Sequence, residues 1–440
     1  MSGRLSPERK RFRAELKRRA EAQRVRQTRD VAELPHWPEK VEAGRLVRQL
    51  DRVVRELREE SPHGNRELFL DDVFVAYLLA FFNPTLRTLR TLEDFSQTQQ
   101  AQKHLSVPRL CRSTLSDFNQ LAEPGRLLPI VTELRAAVSR KFPAQSAPPD
   151  LAVLLQQVLA VDGTYFAAAA DVAWAIGHRN QTTTTRHRAR LDVHLDVRTW
   201  LPELVVVPEP GMGEAASAAL TVKPGAIHIY DRGIGSFDML RAHYEQREGA
   251  WQSCADYVLR VKCHQMKFVA QEERPLSVAA QKARIVSDRL GTLPGWQHAS
   301  VPPVVLREIT IQTSAGETLR LLTSLLDVEA ELLGRLYQYR WQIELFFRWL
   351  KCFANFDHLL SHSRSGVLLS FYVVIIGVLL MYLHTGYRPS KYAFVLLGMV
   401  AQNGGDLESI LTILRERERQ SEVARQSAAR RRAQKNAQGS

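Results

Sequence analysis

Y-Q-Y-R-W-Q-I-E-L-F-F-R-W-L-K, residues 337–351, reads as a helix with two unlike faces. At 100° per residue, Tyr337, Arg340, Glu344 and Lys351 fall within a wedge of about 60°, with Arg348 beside it. Leu336, Ile343, Phe346, Phe347 and Leu350 occupy another side, suited to packing on a sheet. A face that only meets solvent usually mixes charge signs, whereas here one carboxylate stands among several cations. The helix expected around this stretch runs from about Val328 to Ala354.

Upstream, the texture is strand-like. Gln157–Val161 is an apolar run ending in Asp162-Gly163, residues 183–197 form a long extended stretch, and Glu203–Pro208 contains Leu-Val-Val-Val. Ala226–Tyr230 leads into Asp231-Arg232-Gly233, and Tyr257–Lys262 is a further short strand. Gly213–Leu220 and Ser236–Gln246 read as helices between them. Val304–Thr313 and Glu317–Ser324 flank Ser314-Ala315-Gly316 as a hairpin. Strands alternating with helices imply an α/β sheet. Asp162 and Asp231 each sit where an apolar strand gives way to glycine, and reactive groups in open sheets collect at such strand ends. Two adjacent aspartates repel, and a cation between them relieves the repulsion. Taken alone, they read equally well as turn residues, because Asp-Gly is common in turns.

With the helix added, the pattern Tyr337-x2-Arg340-x3-Glu344-x6-Lys351 resembles the Y-(2)-R-(3)-E-(6)-K motif of the insertion-sequence family 4 DDE transposases. Asp162 in V-D-G-T and Asp231 in Y-D-R-G resemble that family's first and second catalytic aspartates. The resemblance covers about residues 90–385. The spaced tetrad with both aspartates is specific, whereas V-D-G or D-R-G alone is weak. Ile234 departs from the aromatic residue that often follows D-R-G. The resemblance implies a ribonuclease-H-like mixed sheet core with a β-rich insertion between the second aspartate and the glutamate, flanked by helical regions. It implies that Asp162, Asp231 and Glu344 bind two Mg²⁺ ions, with Mn²⁺ able to substitute. These metals would activate water and then a DNA 3′-hydroxyl for in-line attack on phosphorus. Tyr337, Arg340 and Lys351 are implied to hold transposon-end phosphates, with Arg348 and Arg232 as further DNA contacts. Trp296, in L-P-G-W-Q, is implied to stack on a flipped base where a hairpin route is used, and reads equally well as a packing residue.

Charge supports a polyanionic partner. The 440 residues carry a formal +13, and residues 1–30 and 411–440 hold most of it. The first segment has 11 basic and 4 acidic residues and the last has 8 and 3, so +7 and +5 leave +1 for the rest. Basic arms of this kind suit DNA or RNA. The expected domains are a helical DNA-binding region over 1–149, a ribonuclease-H-like core in two parts (150–265 and 327–388), a β-rich insertion over 266–326, and a helical C-terminal region with a basic tail over 389–440. Within the first, Glu67–Phe82, Thr91–His104 and Ser113–Leu121 read as helices, with Pro108 as a first-turn proline; Phe142–Asp150, with three prolines, reads as a linker.

Several features point elsewhere and are outweighed. Ser365–Tyr387 contains no Asp, Glu, Lys or Arg and is long enough to span a membrane, but it also fits a buried core helix. Gly211-x-Gly213-x-x-Ala216 mimics a dinucleotide fingerprint, although Pro208 and Pro210 crowd the required tight turn. Asp192, His194 and Asp196 alternate on one face of a strand and are read as its solvated polar side rather than as metal ligands. Cys263-His264 has no partner at metal spacing. Four cysteines without a C-x-x-C pair exclude a disulfide scaffold or zinc ribbon and suit a reducing compartment. The N-terminal segment lacks the apolar core of a secretory signal. The resulting expectation is a cytoplasmic bacterial enzyme that moves its own insertion sequence by cut-and-paste transposition. Its expected partners are DNA, as terminal inverted repeats and target, and a second copy of the chain in a synaptic homodimer, with no membrane. The alternative is a catalytically inactive, transposase-derived DNA-binding protein.

Overall fold

A computed structural model describes residues 68–82, 86–102, 105, 107–141, 148, 150–167, 176–179, 185–262, 266–294, 304–313, 316–352, 360–361, 363–385, 396 and 407–438. The basic arm at 1–30, Trp296 and Cys263-His264 lie outside these residues. The chain divides into two compact units, one drawn from residues 1–142 and 352–440 and the other from Pro143–Lys351.

The first unit is helical. It contains α1 (Leu70–Phe82), α2 (Leu89–Ser96), α3 (Gln99–Gln102), α4 (Arg112–Leu121) and α5 (Leu128–Lys141). Pro108 does not start a helix as expected. It lies in a bend, and α4 begins four residues later, with Cys111 at its N-cap. The chain returns to this unit after residue 352, so the apolar run 365–387 falls here rather than with the strands. Following the numbering of the whole chain, it forms α12 (Arg364–Thr385), and α13 (Leu407–Gln438) follows. α12 has the length and composition of a membrane span, yet 78% of its most apolar window is buried within the protein. Val367, Leu369, Phe371 and Leu379 are inaccessible, and each such side chain contributes roughly 1.5–3 kcal/mol of transfer free energy. Polar links tie its ends down: Ser363 Oγ donates to the Asn119 carbonyl at 2.6 Å, and Lys141 Nζ donates to the Leu383 carbonyl at 3.1 Å. Gly377 lets α1 approach, since a Cβ there would lie 2.6 Å from the Phe81 ring.

The second unit is a mixed α/β body. Its helices are α6 (Ala152–Leu155), α7 (Glu214–Leu220), α8 (Phe237–Arg241), α9 (Val278–Lys282), α10 (Ala330–Gln338) and α11 (Trp341–Cys352). Its main-sheet strands are β1 (Val158–Ala167), β2 (Ile176–Arg179), β3 (Thr185–Asp196), β4 (Leu201–Val206), β5 (Ile227–Tyr230), β8 (Asp256–Val261), β9 (Val269–Glu273), β10 (Ile285–Thr292), β11 (Leu306–Gln312) and β12 (Thr318–Thr323). β6 (Tyr244–Arg247) and β7 (Ala250–Ser253) form a separate hairpin. The main sheet runs β2-β3-β1-β5-β8-β12-β11-β10-β9, with β4 also on β3. β1, β5 and β8 are parallel; β3 is antiparallel to β1, and β12 is antiparallel to β8. The strands of segment 266–326 thus continue the sheet through β12 rather than building a sheet of their own.

The expected β11–β12 hairpin is present, closing with Gln312 opposite Thr318. The helix expected over Ser236–Gln246 stops at Arg241, and residues 244–247 pair as β6 instead. Tyr230, Met239, Leu240, Tyr257, Leu259, Leu306 and Leu322 join in one apolar core. The expectation for Asp192, His194 and Asp196 is overturned, because all three are buried. β3 is an interior strand covered on both faces, and most of its buried polar atoms find local partners, although His194 Nδ1 does not. Arg190 Nε donates to Asp192 Oδ1 at 2.8 Å, His194 Nε2 bonds Thr221 Oγ1 at 2.9 Å, and Asp196 Oδ1 accepts from the Arg198 amide at 2.9 Å.

Candidate active site

β1 and β5 run side by side, and their parallel ladder ends at Val161 opposite Tyr230. The next residue on each strand is an aspartate. Asp231 lies at the strand end, as expected. Asp162 does not, because β1 continues to Ala167 along β3, where Asp162 pairs with Val193. The ladder nonetheless brings both carboxylates to one level of the sheet, where the charge of Asp231 disfavours that of Asp162. Asp162 is half-buried, and its Oδ1 accepts the Gly163 amide at 2.8 Å. Burial, reinforced by the charges of Glu214 and Asp231 and opposed by Arg340, pushes its carboxyl up to about 7.

The motif helix differs from the single rod expected. It breaks into α10 and α11 at Tyr339–Arg340, where backbone bonds shorten to three-residue steps: the Arg340 amide donates to Tyr337 O at 3.0 Å and the Ile343 amide to Arg340 O at 3.2 Å. The tighter turn rotates Arg340 inward, so it is buried at 8% exposure rather than lying on an open cationic stripe. There its guanidinium lies between two carboxylates. Nη2 donates to Glu344 Oε1 at 2.5 Å, and Nη1 is 3.9 Å from Asp162 Oδ2. Burial opposes the charge of Arg340, but the Glu344 hydrogen bond and the neighbouring Tyr337 and Asp231 outweigh it and hold the group protonated. Tyr337 is buried and its hydroxyl donates to Asp231 Oδ1 at 3.3 Å; burial and that aspartate both raise the phenol's pKa. α11 is anchored by edge-to-face contacts of Trp200 with Phe346 at 5.5 Å and with Trp349 at 5.7 Å.

The structure therefore brings Asp162, Asp231, Glu344, Tyr337 and Arg340 into one linked network. Lys351 is half-buried two turns beyond Glu344, while Arg348, one turn beyond, and Arg232, next to Asp231, are exposed. Two participants were not foreseen. Arg260 on β8 places Nη1 3.9 Å from Asp231 Oδ1. It was legible as the lone cation in the apolar strand Tyr-Val-Leu-Arg-Val. Glu214, the first residue of α7, faces Gly163 and Gly233, and its only sequence signal was hidden inside the dinucleotide mimic.

The donor set is entirely oxygen, and the Asp162 carboxyl, raised chiefly by burial, also has the carboxylates Glu214 and Asp231 near it. Both features fit a hard divalent cation. Among the described residues no three His, Cys, Asp or Glu side chains are grouped closely enough to hold a metal ion in the present arrangement, in which Arg340 lies between Asp162 and Glu344. Asp162 and Asp231, which follow the paired residues Val161 and Tyr230, offer carboxylate oxygens at neighbouring strand positions.

The family described as "Transposase DDE domain" matches residues 154–380, just over half of the chain and all of the network above. The chain belongs to the DDE transposase family. It is similar to "Putative transposase y4zB" of Sinorhizobium fredii, at 26% identity over 197 residues, 44% of this chain and 52% of that protein. It is also similar to "Probable transposase for insertion sequence element IS5377" of Geobacillus stearothermophilus, at 32% identity over 75 residues, 17% of this chain and 20% of that protein. The chain thus spans about half the length of the first of these relatives and a fifth of the second. Among solved structures, a piggyBac transposase synaptic complex with hairpin DNA aligns with a TM-score of 0.41 at 11% identity, covering 83% of this chain and 79% of that one.

Proposed function

We propose that this DDE transposase cleaves DNA at the ends of its own insertion sequence and transfers the freed strand to a new site, by cut-and-paste chemistry of the insertion-sequence family 4 type. The observation that carries the reading is the link from the spaced tetrad to the carboxylates: Arg340 to Asp162 and Glu344, and Tyr337 to Asp231. Coincidental spacing gives no reason for those side chains to converge on the two aspartates. The strand order β4-β3-β1-β5-β8, with β3 reversed, supports a ribonuclease-H-like core, with β9–β12 as its insertion.

In this reading Asp162, Asp231 and Glu344 hold two Mg²⁺ ions, for which Mn²⁺ substitutes. When bound, such ions polarise the scissile phosphate and lower the pKa of an attacking water or 3′-hydroxyl. The chain's own residues orient the DNA. Arg340 presents a planar fork that matches a phosphate, and the exposed Arg348 and Arg232 add positive charge along the strand's path. Tyr337 keeps Asp231 in place through its hydroxyl, and Lys351 supplies a second phosphate contact. Trp296 stacks on a flipped base if the flanking DNA passes through a hairpin. The helical regions and basic arms bind the terminal inverted repeats and target DNA, two copies act in the synaptic complex, and the protein works in the bacterial cytoplasm. The domain limits given above for these regions are part of the proposal.

The test is a supercoiled plasmid carrying the element's own ends, incubated with purified protein. Release of a fragment cut at those ends in Mg²⁺ or Mn²⁺, and not in EDTA, is the expected result. End binding without cleavage in either metal would leave the transposase-derived binding protein as the correct reading.

A further inference from the structure

We infer that Glu214 is a positioning residue of the aspartate pair, acting from behind the strands through its negative charge; this rests on the reading of Asp162 and Asp231 as metal-binding carboxylates. Glu214 opens α7, which packs against β1. Its two oxygens address Gly163, the residue after Asp162, and Gly233, two residues after Asp231. A Cβ built on Gly163 would lie 3.2 Å from Glu214 Oε1, and one on Gly233 would lie 3.7 Å from Oε2. One carboxylate therefore spans the backbones of both strands at the level where the aspartates emerge. The same Gly163 position would meet Asp192 Oδ1 at 2.8 Å and the Arg190 side chain at 3.3 Å. Glycine is required there because this polar group fills the space a side chain would need.

The group is built rather than incidental. Arg190 and Asp192 are buried and bonded to each other through Nε–Oδ1 at 2.8 Å and Nη2–Oδ2 at 3.1 Å, and the Arg190 charge also favours the Glu214 carboxylate against the burial that raises its pKa. Tyr165, two residues beyond Gly163 on β1, hydrogen-bonds the Glu214 carboxylate and fixes its direction. A neutral glutamine would fit the same space, and a carboxylate stands there instead. Behind Asp162 and Asp231, its charge deepens the negative potential at both carboxylates and strengthens their joint attraction for a divalent cation on the far side. Across a half-buried path, such a charge alters cation affinity by about tenfold.

The experiment is titration of the full-length protein with Mn²⁺ alone, followed by electron paramagnetic resonance of the free ion. Compared are the wild type, Glu214→Gln, Glu214→Asp and Asp162→Asn. Glu214→Gln keeps shape and hydrogen bonding while removing charge, and is expected to weaken the Asp162-dependent site by about tenfold. Glu214→Asp keeps the charge and is expected to stay within about threefold of wild type. Wild-type Mn²⁺ affinity in Glu214→Gln, or equal losses in both Glu214 variants, overturns the inference. If Glu214→Gln does not fold, the Asp variant decides alone, because affinity lost despite retained charge contradicts an electrostatic role. Asp162→Asn separates the two roles: if it binds Mn²⁺ like wild type, the metal assignment of the aspartates has failed; if it loses the site while Glu214→Gln does not, only the role of Glu214 has failed.

Discussion

Arg340 concentrates the chemistry of this site in one side chain. It is buried, forked between Glu344 and Asp162, and positioned by a turn rather than by a helix face. A lysine in its place carries the charge but not the fork, and can satisfy only one partner at a time. Arg340→Lys is therefore expected to lower the cleavage rate on saturating, pre-bound transposon-end DNA by about tenfold to a hundredfold, since small errors in phosphate position cost that much. Lys351→Ala is expected to impair the chemical step as well as binding. Single-turnover cleavage checks both; wild-type rates in both variants would reduce the tetrad to an accident of spacing.

At the scale of elements, two devices hold the sheet in register. Gly291 on β10 faces β9 so closely that an added Cβ would lie 2.1 Å from the Val269 carbonyl oxygen. Backbone cannot step aside cheaply, so Gly291→Ala is expected to destabilise the unit by about 1–3 kcal/mol, visible as a lowered Tm. On the other flank, His194, His228 and His243 are buried together, with His228 edge-to-face to the other two at 5.7 and 5.3 Å. Burial depresses their pKa values to about 4, about 2 and about 4, with repulsion from neighbouring histidines adding to it at His194 and His228. Folded, they stay neutral while the unfolded chain takes up protons below about pH 6.5, so stability is intact above that pH and is lost as pH falls towards 4. The slope approaches about 1.4 kcal/mol per histidine per pH unit. Urea unfolding between pH 7.5 and 5 measures it, and His228→Asn or His228→Leu is expected to flatten the slope. These histidines were not legible as a group, because His194 and His228 come from β3 and β5 and His243 from the turn after α8. β1, β3, β4, β5, β8 and the β11–β12 hairpin were legible from apolar runs and turn residues, whereas β2, β6, β7, β9 and β10 were not. The burial of Asp192 was not, because alternation along β3 says which side chains share a face and nothing about what covers it. The break at Tyr339–Arg340 was missed for a related reason, since fixed 100° spacing assumes the helix that tertiary contacts interrupt.

Over the whole chain, excess charge sits at the two ends, +7 over residues 1–30 and +5 over residues 411–440. If the first arm binds phosphates, deleting residues 1–30 should weaken DNA binding and flatten its salt dependence by about 0.9 log–log units for every phosphate it had neutralised. An unchanged slope in a salt titration would make the arm a solubilising tail. The family assignment covers residues 154–380, and with it all three carboxylates. If Asp162, Asp231 and Glu344 act together on the scissile phosphate while basic side chains hold the DNA, cleavage and binding must separate on substitution. Single-turnover cleavage of the element's own end by Asp162→Ala, Asp231→Ala and Glu344→Ala in Mg²⁺, with end binding measured in parallel, reads this out. Near-normal binding is expected, with a loss of cleavage greater than about a hundredfold in all three, because a lost metal ligand removes several kcal/mol of transition-state stabilisation. Near wild-type cleavage by any one of them would contradict the shared role of the three carboxylates.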